Sequence, residues 1–278
     1  LIINEQNILI WEFFFLGDVV GNSGCNAIKK NLSKIISDNK IDFVVANGEN
    51  AAEQGVGITE NITNELLSVG IDVITSGNHI WDQKETLEFI NKEKRLLRPL
   101  NLPKDSPGKG FGIYTSKNGY KVGVLNLMGN VFMKKCDDAF QTAIHFLSEN
   151  HLKREYDFLL IDFHGEITSE KTAIGHFFDG KATLLVGTHT HIPTNDARVL
   201  NNGTAYLTDA GMCGDYNSVI GMNAQNSINR FLKKDSVKHF PAKGEGTLCG
   251  IVVDANPNTG LAENAKSFIY GAELKNSN

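Results

Sequence analysis

Three short apolar runs near the start of the chain have the length and composition of buried strands. They lie at residues 8–16, 41–46 and 71–75. A segment whose apolar residues recur at helical spacing follows each run, and these segments predict helices at about 23–39, 59–69 and 82–92. Thr59 suits the N-terminal cap of the second helix, and Gly70 suits its end. This β-α-β-α-β-α order predicts a parallel sheet with right-handed crossovers.

The rest of the chain mixes the same pattern with hairpins. Turn signals at 117–119, 201–203 and 256–260 predict three hairpins, which join 112–116 to 120–127, 197–200 to 204–208, and 246–254 to 261–270. Further buried strands are predicted at 157–163 and 182–186, with helices at 138–152, 168–178 and 225–234 and a glycine-rich loop at 211–223. Parallel units mixed with hairpins predict two packed sheets with helices outside. We treat residues 1–7 as extraneous and expect one domain over residues 8–278.

Polar side chains that can bind metal follow five of the predicted strands. They are Asp18, Glu49 with Asn50, Asn78, His164, and His189 with His191. His79, beside Asn78, also falls at a strand end. Each alone has an ordinary explanation, because Asp and Asn form turns and a histidine at a strand end is usually a satisfied polar residue. Ligands of parallel sheets, however, bind where the carboxyl ends of strands meet. Because residues that can bind metal follow five strands, one shared metal site is favoured over five unrelated explanations.

The two histidines of the His189-Thr190-His191 segment are expected to leave one face of the chain, because residues i and i+2 do so at a strand end. Mixed carboxylate, amide and imidazole ligands suit iron or manganese, with zinc as the alternative. Six or seven ligands exceed the needs of one tetrahedral ion. They suit two ions roughly 3.5–4 Å apart, which share a bridging carboxylate and hydroxide, clamp a phosphate and activate water.

Composition and charge narrow the function. The chain has 27 Lys and Arg against 32 Asp and Glu, which argues against a broad nucleic-acid groove. Its four cysteines are widely spaced and form no C-x-x-C pair, so we expect free thiols in a reducing, cytoplasmic compartment. The apolar run at 8–16 is too short to span a membrane, and it lacks the flanking features of a secretory signal. Homo-oligomerisation remains open.

Five short motifs contain the candidate ligands. They read Gly17-Asp18, Gly48-Glu49-Asn50, Gly77-Asn78-His79, His164-Gly165-Glu166 and Gly187-Thr188-His189-Thr190-His191. In this order they resemble the signature of calcineurin-like metallophosphoesterases. The Gly-Glu-Asn variant, together with Gly-Asn-His followed by Ile80-Trp81-Asp82, is similar to the YmdB-like bacterial phosphodiesterases. The resemblance covers roughly residues 15–270.

This resemblance implies an α/β fold, a four-layer αββα sandwich of two mixed sheets flanked by helices. It also implies hydrolysis of small phosphodiesters such as 2′,3′-cyclic nucleotides, by attack of a metal-bridging hydroxide. Carried over by position, the implied ligands of one ion are Asp18, Asn50 and His191, those of the other are Asn78, His164 and His189, and Glu49 bridges. His79 resembles the general acid that protonates the leaving ribose oxygen, and its alternative role is an outer hydrogen-bond partner.

Two positions depart from the wider superfamily. Val20 replaces the histidine of the first motif, so the ion there needs another ligand, which the adjacent Asn50 could supply. Glu49 replaces the usual aspartate. The roles of Asp162 and Asp209 stay open between partners of ligating histidines and local caps. Two rival functions also stay open. One is a metal-dependent amide or ester hydrolase, for which no serine-centred motif or obvious carboxylate base is present. The other is a metal-dependent regulatory nucleotide-binding protein with weak or no turnover.

Overall fold

A computed structural model describes residues 11–234 and 239–277 of the 278-residue chain. Residues 1–7, which we treated as extraneous, and the first three residues of the predicted strand 8–16 lie outside the described part. Up to residue 89, strands and helices alternate as the hydrophobic pattern predicts. They are β1 (Trp11–Leu16), β2 (Asp18–Val19), α1 (Gly21–Asp38), β3 (Phe43–Asn47), α2 (Glu60–Ser68), β4 (Val73–Thr75) and α3 (Thr86–Phe89).

The remaining elements include the three predicted hairpins. In chain order the elements are β5 (Phe111–Thr115), β6 (Lys121–Met128), α4 (Ala139–Glu149), β7 (Phe158–His164), α5 (Thr168–Phe178), β8 (Leu184–Thr188), β9 (Arg198–Val199), β10 (Ala205–Leu207), β11 (Met212–Cys213), α6 (Ala224–Phe231), β12 (Leu248–Ala255) and β13 (Ala262–Tyr270). The pairs β5–β6, β9–β10 and β12–β13 are antiparallel, which confirms the turn signals.

The strands form two large mixed sheets. The first has the order β13-β12-β1-β3-β4, in which β1, β3 and β4 run parallel. The second has the order β5-β6-β7-β8-β10-β9, in which β6, β7, β8 and β10 run parallel. Each sheet thus combines a parallel centre with antiparallel edge strands, as the mixture of crossovers and hairpins predicts.

Three apolar clusters separate four layers. Alternate residues of β1 point to opposite faces of the first sheet: Phe14 packs with Ile28 and Leu32 of α1, and Phe13 packs with Phe158 of the second sheet. On the outer face of the second sheet, Ile161 of β7 packs with Ile174 of α5. The layer order is therefore helices, sheet, sheet, helices, which is the αββα sandwich.

A local signal in the sequence predicted the start of α2. The Thr59 hydroxyl accepts the Ile62 amide at 3.2 Å, which confirms the predicted cap of α2. The helix predicted over 82–92 is wrong for most of its length, because α3 covers only Thr86–Phe89. The preceding residues turn instead: the Asp82 side chain contacts His79, and Gln83 Nε2 donates to the Val56 carbonyl.

The segment predicted as a glycine-rich loop at 211–223 contains one short strand. Met212 and Cys213 pair in parallel with Asp18 and Val19. The Asp18 amide also donates to the Gly211 carbonyl at 3.1 Å. This two-stranded sheet fixes the backbone on which the first candidate ligand stands. No helix within 11–234 and 239–277 is long and apolar enough to cross a lipid bilayer.

Candidate metal centre

The candidate ligands meet at the carboxyl edge of both sheets. The first sheet supplies Asp18, Glu49 and Asn78, which follow β1, β3 and β4. The second supplies His164, the last residue of β7, and the His189-Thr190-His191 segment after β8. Glu49, His164 and His189 offer ligand atoms that all lie within 4.8 Å of one another. The site therefore lies where the two sheets face each other.

His164 Nε2 is the centre of the densest group. It lies 3.0 Å from Glu49 Oε1, 3.0 Å from Asn78 Oδ1 and 3.1 Å from His189 Nδ1. A ring nitrogen can donate only one proton, so it cannot satisfy three acceptors at once. Two oxygens and two imidazole nitrogens form a donor set that divalent transition ions accept. These four residues fit a metal ion better than they fit a hydrogen-bond network.

Gly77 allows this close approach. A Cβ at position 77 would lie 2.2 Å from His164 Cδ2 and 2.3 Å from its Nε2. Any larger residue would push the His164 ring away from Asn78. The motif has glycine at position 77 because the His164 ring occupies the volume that a side chain would need.

A second group of candidate ligands lies beside the first. Asp18 Oδ1 is 3.8 Å from His164 Nδ1 and 3.9 Å from His191 Nε2, too far for hydrogen bonds. Asp18 Oδ1 and Asn50 Oδ1 are buried, and neither accepts a hydrogen bond from the described residues. Buried polar oxygens are rarely left without a partner. These oxygens, with His191 Nε2, fit a second cation.

The histidine pair reaches the site in a way the sequence pattern did not predict. His189 and His191 have φ angles of 99° and 66°, so they lie beyond the strand and not in extended backbone. Both rings face the cluster, as predicted, but the predicted reason is wrong, because the two residues do not leave one face of an extended strand. Asp18 Oδ2 accepts the His189 amide at 3.0 Å, and His191 Nδ1 contacts the Ile220 carbonyl at 2.8 Å. Backbone of this kind is costly and concentrates at functional sites.

The charges of the group are strongly coupled. Burial opposes ionisation of Glu49, but the charge and hydrogen bond of His164 lower its pKa to about 2. Burial likewise opposes protonation of His164, but Glu49 and Asp18 raise its pKa to about 9. Burial and the neighbouring His164 lower the pKa of His189 to about 3, so its imidazole is neutral at pH 7. The site thus attracts positive charge and holds one imidazole in the form that binds metals.

Asp162 supports His164 through a hydroxyl. Its Oδ1 accepts the Thr188 hydroxyl at 2.7 Å, and Thr188 Oγ1 lies 2.9 Å from His164 Nδ1. Asn47 and Thr75 also donate to Asp162. Burial raises the pKa of Asp162 to about 6. Asp162 therefore orients a candidate ligand indirectly, which answers one question the sequence left open.

Asp209 supports the loop that bears the histidine pair. Its Oδ2 accepts the Thr190 amide at 3.2 Å and the Thr190 hydroxyl at 2.7 Å. The same oxygen accepts the ammonium of Lys171 at 2.7 Å, and both members of this ion pair are buried. Asp209 thus contacts the residue between the two histidines rather than either ring.

His79 lies beside the cluster with its own partners. Its amide donates to Glu49 Oε2 at 2.9 Å, and its Nδ1 lies 2.6 Å from Asp82 Oδ2. Lys134 Nζ lies 3.6 Å from Asp82 Oδ1 and donates to the Asn78 carbonyl at 2.6 Å. With Nδ1 occupied, Nε2 is the ring nitrogen left for a substrate.

Three side chains that contact candidate site residues had no role predicted from the sequence. Asp82 stands three residues after His79, and Glu166 Oε2 lies 3.2 Å from His189 Nε2. Both belong to the quoted motifs, so their proximity to a histidine was a usable signal. Lys134 lies 56 positions from Asn78, and no local pattern indicates their contact.

Comparison with known proteins gives concordant matches. The YmdB-like protein family model matches residues 14–268. The chain is 44% identical over 248 residues to the 2′,3′-cyclic-nucleotide 2′-phosphodiesterase of Bacillus subtilis, covering 89% of this chain and 92% of that protein. Its fold is similar to a novel phosphatase from Mycoplasma pneumoniae, with a TM-score of 0.88, 34% identity and coverage of 95% and 94%. It is also similar to a hypothetical protein from Thermus thermophilus, with a TM-score of 0.86, 34% identity and coverage of 94% and 100%.

Proposed function

This chain belongs to the YmdB-like protein family, and we propose that it is a metal-dependent phosphodiesterase that hydrolyses 2′,3′-cyclic nucleotides and other small phosphodiesters. The observation that carries the proposal is the crowding of Glu49, Asn78 and His189 around one nitrogen of His164. The named activity of the Bacillus subtilis relative supports the same substrate class.

We assign the metal ligands in two sets. Asn78, His164 and His189 would hold one ion, Asp18, Asn50 and His191 would hold the other, and Glu49 would serve both. Oxygen and imidazole donors favour iron or manganese, with zinc as the alternative. When bound, the ions supply positive charge for the phosphate and activate water for attack on phosphorus. The four cysteines are free, which supports our expectation of a reducing, cytoplasmic compartment.

His79 is assigned as the general acid. Glu49 holds its amide and Asp82 holds Nδ1, so the ring is fixed while its side chain stays 32% exposed. Water forms a new bond to phosphorus as a bond between phosphorus and a ribose oxygen breaks. A proton from His79 Nε2 then neutralises the departing oxygen, and the product is a nucleoside monophosphate. A positioned acid of this kind contributes roughly 10²–10⁴-fold.

The test compares two leaving groups. A sugar alkoxide needs a proton as it leaves, whereas a nitrophenolate leaves readily without one. His79→Ala should therefore lose roughly 10²–10⁴-fold in kcat/KM on a 2′,3′-cyclic nucleotide and far less on a nitrophenyl phosphodiester. Both rates are measured on one metal-loaded preparation, with metal content checked by elemental analysis.

The exposed His176 of α5 provides the control, because its replacement by alanine should change neither rate. Equal losses on the two substrates, or a loss of metal from the His79 variant, would move His79 to a structural or ligating role. A wild-type protein that binds the cyclic nucleotide without forming product would contradict the hydrolase and favour a nucleotide sensor.

A further inference from the structure

One loop of the second sheet follows the rim of the metal centre. This rim loop, residues 129–138, joins β6 to α4. At its start the Gly129 amide donates to the carbonyl of His164 at 2.9 Å. Further along, the Lys134 ammonium donates to the carbonyl of Asn78 at 2.6 Å. Residues 130–133 therefore lie between two anchors, each on a candidate metal ligand.

Hydrogen bonds hold the intervening residues in a defined shape. The Glu170 carboxylate accepts the amides of Asn130 at 2.8 Å and Val131 at 3.4 Å. The Asn130 side chain accepts the Ala139 amide and donates to the Asp137 carbonyl. The rim loop is thus anchored to the body of the protein on both sides of its tip.

Phe132 lies at the tip of the rim loop, where both its exposure and its backbone conformation are unusual. Its side chain is 85% exposed, although phenylalanine is among the residues most often buried. Its φ of 61° lies in the left-handed region, which is uncommon for a bulky side chain. An anchored loop therefore presents an aromatic ring to solvent through strained backbone beside a candidate active site. Strain of this kind concentrates at ligand clamps and active sites.

We propose that Phe132 is the platform on which the base of the nucleotide substrate stacks. This inference rests on the proposed function and names the part of the substrate recognised at the rim. A phosphate at the metal centre would leave the base to extend toward solvent. We expect the base to pass the rim loop, because this loop is hydrogen-bonded to His164 and Asn78. Every base has an aromatic face, so a single phenylalanine accepts several bases, with the strongest contact for purines. Phe132 would thus distinguish nucleotides from other small phosphodiesters.

The experiment compares a 2′,3′-cyclic adenosine phosphate with the 2′,3′-cyclic phosphate of ribose, which lacks a base. Stacking of a base on an aromatic side chain contributes about 1–3 kcal/mol, which corresponds to about 5- to 150-fold. Phe132→Ala should lose that factor in kcat/KM on the adenosine substrate, mainly through KM, and keep the rate on the substrate without a base. Phe132→Trp keeps an aromatic ring and should retain the wild-type kcat/KM on the adenosine substrate.

Phe231 provides the matched control, because it is an equally exposed phenylalanine at the carboxyl end of α6. Phe231→Ala should leave both rates unchanged. Binding of the adenosine monophosphate product, measured by calorimetry, should weaken in the Phe132 variant by a factor similar to that in KM.

Two outcomes separate this proposal from the function on which it rests. A wild type that hydrolyses both cyclic phosphates, with Phe132→Ala equal to it on each or impaired equally on each, contradicts the stacking proposal and leaves the phosphodiesterase intact. A wild type that hydrolyses neither contradicts both. A Phe132 variant that keeps its KM but changes oligomeric state would assign the ring to contact with a second copy, which also overturns the proposal.

Discussion

Glu49 shows how much one buried residue does in this site. Its Oε1 lies 3.0 Å from His164 Nε2, and its Oε2 accepts the His79 amide at 2.9 Å. It is the only carboxylate in the group formed with Asn78, His164 and His189. Glu49 therefore places negative charge directly inside this group, where it attracts a cation, and it joins the proposed metal centre to the proposed acid.

Replacing Glu49 by glutamine tests this role. An amide keeps the size of the side chain but removes the charge, and a neutral group bridges two cations poorly. We expect Glu49→Gln to weaken metal binding by more than the roughly 10–100-fold typical of an outer partner of a ligand. Elemental analysis and chelator competition measure the change. Glu149→Gln, on the exposed face of α4, is the control. A variant that retains about two ions per chain would exclude Glu49 as the bridge.

At the residue scale, the sequence predicted which side chains meet at the site when a motif placed them at a strand end. Asp18, Glu49, Asn78, His164, His189 and His191 stand at the carboxyl ends of five strands, so their convergence could be expected from the fold class. Their supporting partners could not be expected in the same way. Thr188 contacts His164 across 24 positions, and Lys171 contacts Asp209 across 38. Those contacts depend on packing between elements, which periodicity does not encode.

At the scale of elements, helix α5 supports the loop after β8. Lys171 of α5 is fully buried, and its ammonium lies 2.7 Å from Asp209 Oδ2. Asp209 in turn binds the amide and hydroxyl of Thr190. A helix with no candidate ligand of its own thereby fixes the segment that presents two of them.

Removing one member of this buried pair should cost much more than removing both. Lys171→Met leaves the Asp209 charge buried without its partner, which typically costs about 3–5 kcal/mol of unfolding free energy. Lys171→Met with Asp209→Asn should recover part of that loss. Denaturant unfolding of both variants measures the difference. Metal affinity should also fall with the single change, because the Asp209 carboxylate that binds Thr190 loses the ammonium that holds it in place.

An exposed ion pair provides the comparison. Lys30 and Glu245 are 3.3 Å apart, with side chains 72% and 77% exposed, so Lys30→Met should change stability little. If the Lys171 variant proved as stable as its double variant, the pair would not hold the loop through charge.

Secondary structure was predicted best where local signals were strong. The caps of α2 and the three hairpin turns were predicted correctly from the sequence, because Thr, Asn and Gly determine them locally. The helix expected at 82–92 failed because Asp82 and Gln83 bind groups outside their own segment. Strand β11 was missed because two residues carry no periodicity, and only pairing with Asp18 and Val19 makes them a strand.

At the scale of the whole molecule, the site requires both sheets. One sheet contributes carboxylates and an amide, and the other contributes imidazoles. The core of Phe13, Phe15, Val124 and Leu160 between the sheets sets their separation. The rule that ligands bind at the carboxyl ends of parallel strands predicted the edge of each sheet at which the candidate ligands meet. It did not predict how the two edges face each other, since that follows from the packing of this core.

The charge of the whole molecule bears on substrate size. Lys and Arg number 27 against 32 Asp and Glu, and the buried Lys171 is already paired with Asp209. Proteins that hold long nucleic acids neutralise many phosphates, and their affinity falls by about 10³–10⁵ between 50 and 200 mM salt for 6–10 contacts. If ions bound at the proposed metal centre supply the positive charge that meets the substrate, this acidic chain would contact a single phosphate there. Small diesters should therefore be preferred over RNA.

A competition assay at physiological salt tests whether the protein prefers small diesters to RNA. A structured oligoribonucleotide should leave hydrolysis of a cyclic mononucleotide unchanged up to concentrations of about 10⁻⁴ M, the weak end of non-specific nucleic-acid binding. An unlabelled cyclic mononucleotide should compete in the same assay, and the rate should vary little with salt because few phosphate contacts are made. Inhibition by the oligoribonucleotide below about 10⁻⁶ M, relieved steeply by salt, would instead require a basic groove that binds the RNA backbone.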